Sequence, residues 1–162
     1  MFTANEFVAA LRSVGITHVV GVPDSTLGEW FPAIRQSPDL TLVNVCREGE
    51  AWGVAAGLFV GGAAPVVLIQ CTGLFESGDA LRNAVHDYGL PLFGIIGYRS
   101  YLSQSSLPGD TARVFTEPIL SAWQLETVLI DVPEKRPLLS SHYRTCCEQQ
   151  KSGIALIAEG RA

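Results

Sequence analysis

Leu42-Val43-Asn44-Val45-Cys46-Arg47-Glu48-Gly49-Glu50-Ala51 changes character at its centre. The apolar run from Leu42 to Val45 predicts a short buried strand, and the small residues after Arg47 predict a helix over 48–60. A carboxylate in the junction therefore sits at the mouth of a sheet, where open α/β folds bind ligands. It also sits in the first turn of a helix. Unpaired N–H groups and partial positive charge at helix N-termini favour an acidic residue there for capping alone. Both readings apply to Glu48 and to Glu50, two residues on, which cannot share the same helical face.

Working outward, the same alternation recurs. Phe7, Val8, Leu11 and Val14 have helical spacing, with Thr3 as N-cap, Glu6 completing a capping box and Gly15 ending the helix. A β-branched strand over 17–22 follows, and Pro23-Asp24-Ser25 turns into a helix running to about Gln36. Beyond the central helix the pattern predicts strands over 66–70, 92–97, 127–132 and 154–158, with helices over 78–88, 116–124 and 138–150. The segment from Tyr98 to Val114 is longer than an ordinary connection, and loops of that size are often functional. The fold class is α/β: a three-layer, doubly wound sheet of about six parallel strands with right-handed crossovers. Ser25, Glu48, Thr72-Gly73 and Tyr98-Arg99 then all follow strands directly, at the ligand-binding end of the sheet.

Composition narrows the function. The 162 residues fit one domain, able to bury roughly two-thirds of the unfolded surface. With 48% apolar and 17% charged residues and a mean hydropathy of +0.26, the chain suits a sheet buried on both faces and further burial in an oligomer. A net charge of −5 argues against nucleic acid and anionic membranes, since neither would find a basic face. The four cysteines show no C-x-x-C spacing, and Cys146-Cys147 are neighbours on a predicted helix, so they read as reduced thiols of a cytoplasmic protein with no metal site of its own. No charge interrupts Ala51 to Phe75, yet Gly61-Gly62-Ala63-Ala64-Pro65 breaks that run into helix and strand rather than a membrane span. Glu6 and the lack of a basic leader argue against a signal peptide.

Several chemistries lack their motifs. There is no G-x-G-x-x-G or G-x-x-x-x-G-K-[ST] for phosphates, no paired-His metal spacing and no G-x-S-x-G nucleophile elbow. Asp24 is at least as well suited to capping the helix after it as to chemistry. His86 reads as a solvated or interface side chain, and His18 and His142 as structural. Gly53 and Gly57 let their helix pack closely on the sheet or on a partner helix. Arg99, in Gly97-Tyr98-Arg99-Ser100, and Arg113, in the loop Pro108-Gly109-Asp110-Thr111-Ala112-Arg113, are the cations best placed for an anionic substrate group. Their guanidinium forks fit sulfonate or phosphonate oxygens, and equally fit acidic groups at a subunit interface.

Four stretches in order carry a resemblance: Gly21-Val22-Pro23-Asp24-Ser25, Arg47-Glu48-Gly49-Glu50-Ala51, Ala51-Trp52-Gly53-Val54-Ala55-Ala56-Gly57 and Gln70-Cys71-Thr72-Gly73-Leu74. Together they resemble the pyrimidine-binding (PYR) domain of thiamine-diphosphate enzymes, most closely the sulfopyruvate and phosphonopyruvate decarboxylases. The resemblance runs from about Glu6 to Glu159 and is clearest from Gly21 to Arg99. It implies that Glu48 bonds the aminopyrimidine ring nitrogen and favours the tautomer that removes the thiazolium C2 proton. Thr72, Gly73 and Leu74 would approach the cofactor, and Ser25, Arg99 and Arg113 the substrate. The chain lacks the adjacent His-His pair of simple pyruvate decarboxylases. It also lacks the Gly-Asp-Gly…Asn motif that holds magnesium and the diphosphate, since Gly78-Asp79 and Gly109-Asp110 continue as Ala80 and Thr111. The resemblance thus implies a single PYR domain over 1–162, ending just after its last strand. Mg2+ and the diphosphate would be held by a separate diphosphate-binding (PP) subunit in a hetero-oligomer such as α2β2 or larger. The activity implied is decarboxylation of a small anionic 2-oxo acid, 3-sulfopyruvate or 3-phosphonopyruvate, to an aldehyde and CO2. A carboligase subunit and a non-catalytic module of the same fold are the alternatives.

Overall fold

The computed structural model describes residues 1–25, 27–102 and 110–159. Six strands, β1 (His18–Gly21), β2 (Thr41–Asn44), β3 (Pro65–Gln70), β4 (Phe93–Tyr98), β5 (Glu126–Ile130) and β6 (Gly153–Ala158), form one sheet in the order β2-β1-β3-β4-β6-β5. Every pairing is parallel, with Val20 opposite both Val43 and Val67, and Ile95 opposite Leu68 and Ala155. The expected α/β class and strand number are thus observed. The chain reverses direction across the sheet between β1 and β3, which makes the crevice at their carboxyl ends the topological switch point.

Alternation along the central strands divides the core in two. Val19, Val66, Leu68, Ile95, Ala155 and Ile157 face one side, where they meet α1 (Ala4–Ser13), α2 (Trp30–Gln36) and α7 (Pro137–Gln149) through Phe7, Leu11, Phe31, Ile34, Leu139 and Tyr143. Val20, Val67, Ile69, Ile96, Ile154 and Leu156 face the other side. There they meet α3 (Glu48–Val60), α4 (Cys71–Glu76), α5 (Gly78–Arg82) and α6 (Thr111–Ala122) through Trp52, Ala55, Leu74, Leu81 and Leu120. A side-chain period of two forces this division, because a strand buried on both faces needs a helix layer on each. The edge strands β2 and β5 are more exposed.

Local chemistry explains the helix ends. Thr3 caps α1 in the expected capping box with Glu6. Four expectations need correction. Asp24 does not open a helix: its Oδ1 accepts from the Leu27 amide at 3.1 Å, stabilising a turn, and α2 begins only at Trp30. The stretch between the predicted strand over 66–70 and the predicted helix over 78–88 is not a bare connection, since Cys71, Thr72, Gly73 and Leu74 lie in the short helix α4. The predicted helix over 78–88 is α5 followed by a π-helical turn, Asn83–Asp87. Helix α6 starts five residues earlier than predicted, with the Asp110 side chain accepting from the Ala112 amide at 3.1 Å, so Arg113 is helical rather than in a loop. Pro108 and Gly109 of that predicted loop lie outside the described residues. Among the described residues no helix is long and apolar enough to cross a membrane.

Glycine is required where Trp52, fully buried on α3, crosses β4. A Cβ on Gly94 would stand 2.9 Å from Trp52 Cη2 and 2.7 Å from Ile154 Cδ1. The indole Nε1 meanwhile donates to the buried Ser77 hydroxyl at 3.1 Å, so the ring cannot slide away without losing that bond. Gly94→Val should therefore destabilise the chain by about 1–3 kcal/mol, the usual cost of overpacking a filled core. The midpoint of urea unfolding, at unchanged slope, is the measurement.

Candidate active site

The N-terminal turn of α3 rests against α4. Glu48, half-buried, lays its side chain over Gly73: a Cβ on Gly73 would collide with Glu48 Cγ and stand 2.7 Å from its Oε1. Only a residue without a side chain leaves that seat open. Glu50 behaves differently. Its Oε2 accepts from the amides of Cys46 at 3.0 Å and Arg47 at 3.3 Å, so it folds back as the N-terminal cap. Glu76, at the end of α4, accepts the Gly49 amide on Oε2 at 2.8 Å and both Nε and Nη2 of Arg47 on Oε1, at 2.9 and 2.6 Å. The Gly49 and Arg47 bonds hold the Glu76 carboxyl below the ordinary carboxylate range, and Glu76 in turn raises Arg47. Glu48 alone of the three makes no hydrogen bond or ion pair among the described residues. The two functions that its position allowed, capping and ligand contact, have thus been divided between different carboxylates.

The other candidates lie along the carboxyl edges of β3, β4 and β6. Gly73 and Leu74 are buried, and Thr72 is half-buried. The Cys71 thiol, fully buried, is pushed up by that burial, against hydrogen bonds from the Arg99 amide, the Thr116 hydroxyl and the Thr72 amide. This thiol ties the start of α4 to the end of β4, so the Thr72 and Arg99 backbones are neighbours. The Arg99 side chain is exposed, 4.0 Å from Asp110. Arg113 points along α6, its guanidinium 5.4 Å from the centre of the Tyr101 ring, while its carbonyl accepts from the Tyr98 hydroxyl at 2.9 Å. Both arginines thus gather near the start of α6. His86 is exposed, with its Nε2 2.8 Å from the Trp123 carbonyl oxygen. Gln70, at the end of β3, has a buried Oε1 with no hydrogen-bond partner among the described residues.

Ser25 belongs to a separate cavity of about 340 Å³ that also includes Leu27, Leu102 and Glu159. Glu159 was not picked out from the sequence. Its Oε1 is buried without a partner, and with Leu27 it occupies the space that a side chain on Gly97 would fill. Burial and then the Asp24 charge raise its carboxyl to about 8, against a smaller pull from the chain's terminal amine. The only sequence signal was an acidic residue directly after an apolar strand, the same signal that marks Glu48.

The neutral form of Glu159 is favoured by folding, so its contribution to stability is present below the ordinary value of 4.5 and is lost as pH rises through about 8. Glu159→Gln should remove that loss. The difference in unfolding midpoint between the variant and the unaltered chain should grow in the variant's favour from about pH 4.5 to about pH 8 and then level off. A difference that does not change with pH would contradict the assignment.

Known proteins are similar to this chain in sequence and in architecture. Residues 1–122 match the family described as thiamine pyrophosphate enzyme, N-terminal TPP binding domain. A phosphonopyruvate decarboxylase from Streptomyces viridochromogenes is 32% identical over 108 residues, covering 67% of this chain and 27% of that protein. The sulfopyruvate decarboxylase subunit alpha of Methanothermobacter thermautotrophicus is 32% identical over 118 residues, covering 68% of this chain and 72% of that subunit. This chain therefore spans about a quarter of the length of the first relative and most of the second. In fold, it is similar to an X-ray structure of a candidate thiamin diphosphate-dependent enzyme from Mycobacterium smegmatis, with a TM-score of 0.71 at 20% identity over 97% of this chain and 30% of that one. With most of its length matching the family and its parallel sheet matching the fold, the chain belongs to the thiamine pyrophosphate enzymes as an N-terminal TPP-binding domain.

Proposed function

We propose that this chain is the pyrimidine-binding subunit of a two-subunit thiamine-diphosphate decarboxylase acting on 3-sulfopyruvate or 3-phosphonopyruvate in the cytoplasm. The observation that carries this reading is the uncommitted Glu48 carboxylate on its Gly73 seat, between two carboxylates that are fully engaged. A half-buried carboxylate with no hydrogen bond or ion pair among the described residues suits a ring nitrogen that must receive and share a proton. The missing side chain at Gly73 lets Glu48 lie directly against the α4 backbone, and three residues before it the buried Gln70 Oε1 has no hydrogen-bond partner among the described residues. These residues fit an aminopyrimidine. When bound, thiamine diphosphate supplies the carbon nucleophile and the electron sink that decarboxylation of a 2-oxo acid needs.

In this reading Glu48 holds the proton at the pyrimidine nitrogen, and Thr72, Gly73 and Leu74 shape the wall beside the ring. Arg99 and Arg113 serve the distal sulfonate or phosphonate of the substrate, and Ser25 meets another part of it from its own cavity. Residues 1–162 act as one PYR domain, and a partner subunit carrying Gly-Asp-Gly…Asn holds Mg2+ and the diphosphate in a hetero-oligomer. The outer face of α3 supports such a partner. Gly53 and Gly57 have open space where side chains would be, and Val60 is 74% exposed, so this face has room for close packing by another chain. The similarity to relatives named as alpha subunits supports the same assembly.

Two measurements test the reading in the assembled enzyme. Glu48→Gln should slow hydrogen–deuterium exchange at cofactor C2 by about two to four orders of magnitude, while Glu50→Gln, which only loosens a cap, should leave it near the unaltered rate. Equal exchange in all three proteins would remove Glu48 from the chemistry. Arg99→Ala or Arg113→Ala should weaken kcat/KM by about 1.5–3 kcal/mol, the range for a charge-assisted hydrogen bond. An analogue lacking the distal anion should be insensitive to either change.

A further inference from the structure

Arg47 is the nearest cation in sequence to Glu48, and its charge acts on both Glu48 and Glu50. An arginine within reach of a carboxylate can pair with it, and a carboxylate paired that way holds its charge and takes up a proton less readily. Here the guanidinium is turned away. Glu76 takes it through two bonds at 2.6 and 2.9 Å on one oxygen, while its other oxygen fixes the Gly49 amide in the first turn of α3. Gly73 and Glu76 are three residues apart and so lie on one face of α4. One helical turn therefore supplies both the surface on which Glu48 rests and the anion that removes its competitor. Gly49 permits this approach, since a Cβ there would stand 3.5 Å from Glu76 Oε2 and 3.6 Å from the Ala80 Cβ.

We propose that Glu76 is a positioning residue for the Glu48 chemistry: by sequestering Arg47 it keeps the Glu48 carboxylate unpaired and free to exchange a proton with the cofactor ring. The consequence for catalysis rests on the function proposed above; the sequestering of Arg47 does not. Glu76 touches neither substrate nor cofactor in this account, and acts through Arg47. A purely structural role for Glu76 would be limited to the Gly49 bond and the junction of α3 with α4.

Glu76→Gln separates the two roles, because the amide oxygen can still accept from Gly49 but carries no charge to hold Arg47. In the full chain alone, carbon-13 NMR of the side-chain carboxyls should show the Glu48 titration displaced to lower pH by about one pH unit in Glu76→Gln, as Arg47 swings onto it. The double variant Arg47→Ala/Glu76→Gln should abolish that downward displacement, and Arg47→Ala by itself should move the titration only slightly, and to higher pH. In the assembled enzyme, Glu76→Gln should slow C2 exchange about tenfold, and the double variant should restore it to within about twofold. A double variant as impaired as Glu76→Gln would overturn the proposal in favour of a structural role, as would a Glu48 titration that ignores Glu76→Gln. If the unaltered assembly shows no enhanced C2 exchange, the thiamine chemistry falls while the carboxyl titration still decides whether Glu76 controls Arg47.

Discussion

Burial of both faces of the parallel sheet is the constraint from which the remaining architecture follows. β3, β4 and β6 carry large apolar side chains on alternate residues pointing both ways, and each is buried along nearly its whole length. Water can be excluded from both faces only by two helix layers, and parallel strands can be joined only by crossovers that build those layers. Every connection then ends at one of the two edges. Polar residues that follow strands collect at the carboxyl edge, which is where Glu48, Gly73, Arg99 and Glu159 are found.

Within that frame, the start of α3 is an exercise in distributing charge. Three carboxylates and one guanidinium share the first turn of the helix and the end of α4. Backbone amides take Glu50 and one oxygen of Glu76, and Arg47 takes the other. Unsatisfied N–H groups at the helix end would otherwise draw in Glu48 as well. With those donors already occupied, Glu48 can lie against Gly73 with its oxygens uncommitted. The arrangement depends on α4, a six-residue helix continuing directly from β3 and bringing Gly73 and Glu76 to the same side.

Much of this was legible in the residues. The switch from apolar run to small-residue helix at Cys46 located β2 and α3 within a residue, because β-branched and small residues have opposite preferences. Helices whose starts depend on context were read less well. Nothing in Thr111 to Phe115 has a strong periodic signal, and α6 begins there because Asp110 caps it and Ala112, Thr116 and Leu120 fill space beside α4. Asp24 has the composition of an N-cap, yet the chain after it must bring Leu27 over Gly97, which delays α2 to Trp30. Cys71 to Glu76 is too short and too weakly patterned to be read as a helix alone, and it forms against α3 and α6.

The sequence by itself determined the class of fold, the number of strands and the place of Glu48, because a period of two, a period of 3.6 and a carboxylate between them are local properties of the chain. Only the tertiary structure decided which carboxylate stays free. Glu48 and Glu50 are equal candidates by composition and nearly so by position, and what separates them is a helix more than twenty residues away in the chain, whose Gly73 makes room for one and whose Glu76 holds the neighbouring arginine. The same is true of Glu159, whose raised carboxyl arises from burial and from the charge of Asp24, distant in sequence but near in the fold. Propensity is written residue by residue, whereas the solvation and pairing of a charge depend on everything packed around it.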